Sequence, residues 1–269
     1  MIPRSFAYCL ALALATAAVA EAAPKVRAPS TTWNVDFADA QCIAHRDYGT
    51  ESGSPRLVLK GAPLGDVMQV AVLRDAPWIP ADQVDATVAI DGRPLKTSLT
   101  MFSPKGSKQR VYLLNMPSAE FATVRQAKTL AVRSVDLNET FALSQMQPLM
   151  KVMDDCLADL RRVFNIGADG AEPSGLRSRA KANLARLFSS DDYPTVAISN
   201  GQSGRVKFAL LIQEDGRVAD CTIVETSGVP SLDSQACATL KARAKFEPAL
   251  DKDGKPAKDA VVGAITWRI

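Results

Sequence analysis

The stretch Arg205 to Glu225, RVKFALLIQEDGRVADCTIVE, decides the fold of the C-terminal third. Val206, Phe208, Leu210 and Ile212 recur at every second position, the period of a strand with one buried face. Glu214-Asp215-Gly216-Arg217 interrupts the run. Asp-Gly tolerates the positive φ angles that a tight primed turn requires, so Val218 to Glu225 reads as the returning strand of a hairpin.

Outward from the hairpin, Thr226-Ser227-Gly228 breaks the second strand. Ser231 is placed to cap a helix that begins at Leu232, with Asp233 in its positive first turn and Lys241, Arg243 and Lys245 near its negative end. Pro248 lies just beyond, and Asp253-Gly254-Lys255-Pro256 reads as a turn. In the last ten residues Val261, Gly263, Ile265, Trp267 and Ile269 alternate with Val262, Ala264, Thr266 and Arg268, a final strand. Ahead of the hairpin, Leu176 to Phe188 reads as a helix with Leu184, Leu187 and Phe188 on its apolar side. The expected order is helix, strand, strand, helix, strand.

Seven short features then fall in one order and spacing. They are Tyr193-Pro194, Gly204, Asp215-Gly216-Arg217-Val218, Ser227-Gly228, Leu232-Asp233, Phe246-Glu247-Pro248-Ala249 and Asp253-Gly254-Lys255-Pro256. Together they resemble the C-terminal domain of the TonB energy transducer, over Asp191 to Ile269. The resemblance implies a partner-binding module, in which a segment of an outer-membrane receptor adds to the edge strand after the helix, backbone hydrogen bonds supplying affinity. Carried over, that edge is Ala260, Val261, Val262, Gly263, Ala264, Ile265, Thr266, Trp267 and Arg268. The implied partners are envelope proteins, TonB-dependent outer-membrane receptors among them. A working transducer needs a membrane anchor and a long Pro-rich spacer. This sequence instead reads as a signal peptide, a short linker and an extra domain. The expectation is therefore a periplasmic partner-binding protein. The alternative is a true TonB-type energy transducer for transport, held facing the periplasm by an uncleaved anchor in the inner membrane.

Between Trp33 and Ile166 short apolar runs alternate with turn residues. Arg56 to Lys60, Val67 to Leu73, Thr87 to Ile90, Arg110 to Leu114, Leu130 to Val135 and Thr140 to Leu143 each read as a strand, bounded by clusters such as Gly61-Ala62-Pro63 and Asp91-Gly92. A short helix is expected between Ser118 and Ala127. A longer one from Ser144 to Phe164 carries Leu149, Val152, Met153, Cys156, Leu157, Leu160 and Val163 at three- and four-residue steps. The fold class is α+β: a β-rich domain over 33–166 closed by a helix, a Gly- and Pro-containing linker over 167–175, and the TonB-like domain over 176–269.

Arg4 followed by the uncharged run Phe6 to Ala20, ending in Ala18-Val19-Ala20, fits a secretory signal peptide over residues 1–23. Its removal takes Cys9 with it and leaves Cys42, Cys156, Cys221 and Cys237, an even number in an exported chain. One pair per domain selects Cys42–Cys156 and Cys221–Cys237. Closing a loop of roughly 100 residues is worth about 4–5 kcal/mol, and one of roughly 15 residues about 3 kcal/mol, less any strain.

A net charge of +3, from 32 basic and 29 acidic residues, is too balanced for a nucleic-acid binder. No cofactor is implied, and with no CxxC pair and His45 as the single histidine a metal site has little to build on. Nor does an enzyme stand out. His45-Arg46-Asp47-Tyr48 lacks every other kinase element, and no Gly-x-Ser-x-Gly elbow occurs. Asp154-Asp155 point in different directions on a helix, and Asp191-Asp192 introduce a turn. Gly201-Gln202-Ser203-Gly204 is too short for a phosphate loop, and Trp33, Trp78 and Trp267 are scattered. An envelope enzyme with its site in the β-rich domain stays as an alternative. N-terminal sequencing of the protein purified from its native host should place the mature start between Ala20 and Pro24. A chain that still begins at Met1 in the membrane fraction would instead support the anchored transducer.

Overall fold

The computed structural model describes residues 25–64, 67–167 and 175–269. The segment expected to be a signal peptide, residues 1–23, and most of the expected linker fall outside the described residues. The N-terminal region contains β1 (Val26–Arg27), β2 (Asn34–Ala38), β3 (Gln41–Asp47), β4 (Arg56–Gly61), β5 (Val67–Asp75), β6 (Asp82–Ile90), β7 (Arg93–Phe102), β8 (Gln109–Pro117), α1 (Ser118–Val124), β9 (Thr129–Arg133), β10 (Asn138–Ala142) and α2 (Met146–Val163). The ten strands form one sheet in the order β1-β10-β9-β6-β7-β8-β5-β4-β3-β2, antiparallel except for the β1–β10 pair. It curls into a half-barrel.

The barrel core explains the alternation. Cys42, Ala44, Leu57, Leu59, Val70, Val72, Tyr112, Leu114, Val132 and Phe141 point inward from successive strands. α2 lays Met146, Leu149, Met150, Met153, Leu157 and Leu160 against them. Gly61 lets the helix come close. A Cβ there would lie 2.6 Å from Leu157 Cδ1. Its neighbour Cys42 is bridged to Cys156 on α2, with Cα atoms 6.1 Å apart. At the other end of the helix the buried Arg46 donates to the carbonyls of Thr31 and Ser144 and lies over the Trp33 ring. The sheet thus begins at Val26, ahead of the expected start at Trp33.

Besides β1, three strands of this sheet escaped the sequence reading. β2 and β3 carry polar residues between their apolar ones, and β7 contains Pro94 and Lys96. Only Thr100 to Phe102 of β7 pair with β8. Its first half is therefore an exposed edge, where proline and lysine block further pairing.

The C-terminal region contains β11 (Leu176–Ser178), α3 (Thr195–Ser199), β12 (Gly204–Ile212), β13 (Val218–Glu225), α4 (Pro230–Arg243), β14 (Ala249–Asp251), β15 (Pro256–Ala257) and β16 (Asp259–Trp267). β13-β12-β16 form an antiparallel sheet, and β11-β14-β15 a second, smaller one. α4 packs Leu240 against Phe208, Leu210 and Ile212. Cys221 on β13 is bridged to Cys237 on α4, Cα atoms 5.6 Å apart.

The helix expected over Leu176–Phe188 does not form. Leu176 to Ser178 pair with β14, and Lys181 exchanges backbone hydrogen bonds with Glu247, leaving one 3-10 turn at Leu184–Arg186. Backbone pairing from distant residues outweighs local helix preference. The second helix begins at Pro230, not at Leu232 under a Ser231 cap. Proline fits the first helical turn because its missing N–H would be unpaired there anyway. Asp233 accepts hydrogen bonds from the N–H and Oγ of Ser227.

The hairpin turn at Asp215-Gly216 is not the primed two-residue type. Gly216 N–H donates to Gln213 O, Gln213 N–H donates to Arg217 O, and only Gly216 takes a positive φ, of 79°. That is a type I turn followed by a left-handed glycine, the bulge falling at Gly216-Arg217 opposite Gln213; a separate register shift lies at Leu211/Ile212. The primed turn occurs at Asp91-Gly92, where both φ angles are positive.

The two regions share apolar contacts. Leu211, Ala219 and Ala260, on one face of the three-stranded sheet, join the barrel core. Buried Asp220 accepts hydrogen bonds from Gln41 Nε2 at 2.8 Å and Lys60 Nζ at 2.9 Å, and Asn165 Nδ2 donates to Lys258 O at 2.8 Å.

A Cβ on Gly216 would lie 2.0 Å from Phe246 O. Gly228 has the same handedness, φ 80°, but open space around it. Gly228→Ala should therefore cost about 1–2 kcal/mol, the left-handed backbone penalty alone. Gly216→Ala should cost clearly more, read as the shift in urea midpoint.

Candidate functional site

β16 lies at an edge of its sheet. It pairs with β12 from Asp259↔Ile212 to Gly204↔Trp267 without a slip. Ala260 N–H donates to Asp259 Oδ1 at 2.7 Å, and Ala260 O accepts from Arg179 Nη2 at 2.5 Å. Both backbone groups of Ala260 therefore point away from β12. Outward groups recur every second residue in an antiparallel pair. Val262, Ala264 and Thr266 thus turn their N–H and C=O to the open side. Among the described residues no backbone hydrogen bond reaches these outward groups. Their side chains are exposed as well.

Each end of this open edge is fixed. At its start the fully buried Asp259 accepts hydrogen bonds from Arg179 Nε at 2.9 and 3.0 Å and from Ala180 N–H at 2.8 Å. At its end Trp267 is buried beneath the edges of Phe188 and Tyr193, ring centroids 5.5 and 5.4 Å away. In the middle, Gly263 leaves room for the Phe208 ring, which would stand 2.8 Å from a Cβ there. The strand can then lie flat on its core despite the bulk of Phe208.

Between Phe188 and Tyr193 in the chain lies the buried Asp192. Its carboxylate accepts from Arg243 Nη1 at 2.9 Å and from Ser189 N–H at 2.9 Å. The Arg243 hydrogen bond, followed by that of Ser189, holds the carboxyl below the usual aspartate range. The adjacent acid Asp191 is exposed, and the pair opens a 3-10 turn as expected.

Of the edge residues singled out from sequence, Val262, Ala264 and Thr266 present an open backbone. Val261, Gly263, Ile265 and Trp267 face β12, Ala260 is already capped, and Arg268 lies beyond the last paired residue. Arg179 and Asp259 were not foreseen. They are far apart in sequence, and Arg179 fell in a segment read as helix. The four cysteines form the expected two bridges.

The other candidates do not converge. His45 lies half-buried on the outer face of β3, opposite Asn34 and Val58. Asp154 pairs with Arg125, and Asp155 with Lys151. Gly201–Gly204 is a turn whose Gln202 carbonyl accepts from Tyr193 Oη at 2.7 Å. Trp33 and Trp267 are packed, whereas Trp78 is exposed. A groove of about 620 Å³ between Phe37, Val152, Leu160, Val163 and Lys258 is apolar with a carboxylate rim. Burial pushes the Tyr48 phenol up to about 12. Among the described residues no group of three His, Cys, Asp or Glu could hold a metal ion.

Residues 189–269 match the family model of the Gram-negative bacterial TonB protein C-terminal. The match opens at Ser189, where the Asp192 turn begins, and runs to Ile269. The TonB C-terminal domain is an envelope protein-interaction module. No curated protein matches the chain.

Asp192→Asn should lower stability by about 1–3 kcal/mol at neutral pH, the worth of charge-assisted hydrogen bonds. A carboxyl depressed in the folded state contributes stability above the unfolded aspartate range and loses it as pH falls. The gap between the two proteins in urea midpoint should therefore shrink below about pH 4.

Proposed function

We propose that this chain is a periplasmic partner-binding protein. Its TonB-like domain takes an extended segment of an envelope protein, such as an outer-membrane receptor, onto the open edge of β16. One observation carries the reading: three outward-facing residues, Val262, Ala264 and Thr266, have backbone groups that pair with none of the described residues, on a strand fixed at both ends. An edge of this kind is a template for a further strand. Its rigidity lowers the ordering cost of binding, because only the incoming segment has to become extended.

The β-rich region supports the same role. It covers the face of the sheet that carries Leu211 and Ala260 and is tied to it through Asp220. Binding is the role assigned here, rather than catalysis. The half-barrel interior is filled by α2, and the 620 Å³ groove brings carboxylates and a lysine together without a histidine or a thiol nucleophile. His45→Ala should then leave the cellular phenotype unchanged.

Proline substitution tests the edge directly. Val262→Pro removes an N–H that points outward, and proline is tolerated at such positions. The variant should keep its fold and lose capture of its envelope partner in pull-downs from envelope extract. Val261→Pro removes a hydrogen bond to β12 and should destabilise the domain by about 1–3 kcal/mol. Wild-type capture by a folded Val262→Pro variant would exclude the β16 edge as the interface.

A further inference from the structure

The face of the three-stranded sheet that the barrel covers at Leu211 and Ala260 is exposed farther along, and there it carries a charge pattern that goes beyond an open edge. Antiparallel register places Thr266 opposite Arg205, Ala264 opposite Lys207 and Val262 opposite Ala209, with all six side chains on that one face. Arg205 and Lys207 are exposed. Among the described residues neither is in an ion pair or a side-chain hydrogen bond. Glu225 sits opposite Lys207 on β13, but no contact within ion-pair distance forms. Arg268, also exposed, extends the positive strip past the end of β16.

The intervening residues on β16 are small. A strand added to this edge would lie two strand spacings, about 10 Å, from β12. Ala264 and Thr266 leave the space between open, so the long stems of Lys207 and Arg205 can lie across β16 toward the incoming strand. On the opposite face the neighbours are apolar: Val261, Ile265 and Leu184 are partly buried, and Trp267 is buried. The two faces of an incoming strand would thus meet different surroundings.

We infer that the β16 edge selects an acidic, alternating segment, with carboxylates on the face toward Arg205 and Lys207 and β-branched apolar side chains on the other. This rests on the strand-addition reading above and names the chemistry of the partner. Basic segments are disfavoured by like charges at the same positions, so the pattern sets specificity as well as affinity.

Three labelled octapeptides test it against the full chain by fluorescence anisotropy: alternating Glu-Val, Gln-Val and Lys-Val. The Glu-Val peptide should bind about threefold to tenfold more tightly than Gln-Val, the effect of two or three exposed ion pairs, and Lys-Val more weakly than both. The advantage should vanish at high salt, and in the double variant Arg205→Gln, Lys207→Gln. Val262→Pro should abolish binding of every peptide. Equal binding of Glu-Val and Gln-Val, both lost in Val262→Pro, would overturn the charge inference and leave strand addition standing. Glu-Val binding that survives Val262→Pro would overturn both, since the cations would then be holding the peptide elsewhere. No binding of Glu-Val at millimolar concentration would overturn the inference, while envelope capture by Val262→Pro would still judge strand addition by itself.

Discussion

The buried carboxylate of Asp259 organises the C-terminal domain. It sits at the first residue of β16, is fully buried, and accepts from the Arg179 guanidinium and from two backbone N–H groups, those of Ala180 and Ala260. An unpaired carboxylate could not persist there, because burying a bare charge costs several kcal/mol. The chain before the domain must therefore pass beside the start of β16, and that path holds it extended against β14 instead of helical. The same contact stops the edge. Once Ala260 is capped, the open backbone starts at Val262, so a single ion pair both seats the lead-in segment and defines where a partner strand can begin.

The two regions meet through a similar arrangement. Asp220, buried on β13, is matched by Gln41 and Lys60 on the barrel, and around it Leu211, Ala219 and Ala260 extend the barrel core. An apolar contact alone has no direction; a buried carboxylate with two designated donors does. The barrel thus holds the sheet at a set orientation that leaves Val262, Ala264 and Thr266 of β16 exposed. In the barrel sheet the open half of β7 is blunted by Pro94 and Lys96, which prevent pairing. By contrast, β16 offers small residues and no proline along its open stretch.

Glycines enforce this geometry where backbone meets backbone. Gly216 repeats at the β12–β13 turn what Gly254 does between β14 and β15: each follows a type I turn with a left-handed residue, and the residue after it accepts a backbone bond from the first. At Gly216 the pressure is double, since the Phe246 carbonyl occupies the place of a side chain and Phe246 N–H donates to Gly216 O. Phe246-Glu247-Pro248-Ala249 is thereby stitched to the hairpin. The order and spacing of these short motifs across the domain record that packing.

Local pattern was sufficient for β12, β13, β16, α2 and most barrel strands, because burial on one face imposes a period of two or 3.6 on the residues themselves. The two disulfides followed from an even cysteine count and one pair per region, and the edge strand from its alternation and the TonB resemblance. What local pattern could not contain was any choice made by residues distant in the chain. Leu176–Phe188 has helical spacing, yet strand pairing with Ala249–Asp251 and the Arg179–Asp259 pair decide its path. The polar-rich strands β2, β3 and β7 became strands because neighbours supplied hydrogen bonds, not because their side chains demanded it. The phase of the open edge, with Val262, Ala264 and Thr266 outward, is set by the register with β12, and Arg179 and Asp259, brought together by the fold, close off its first outward position at Ala260.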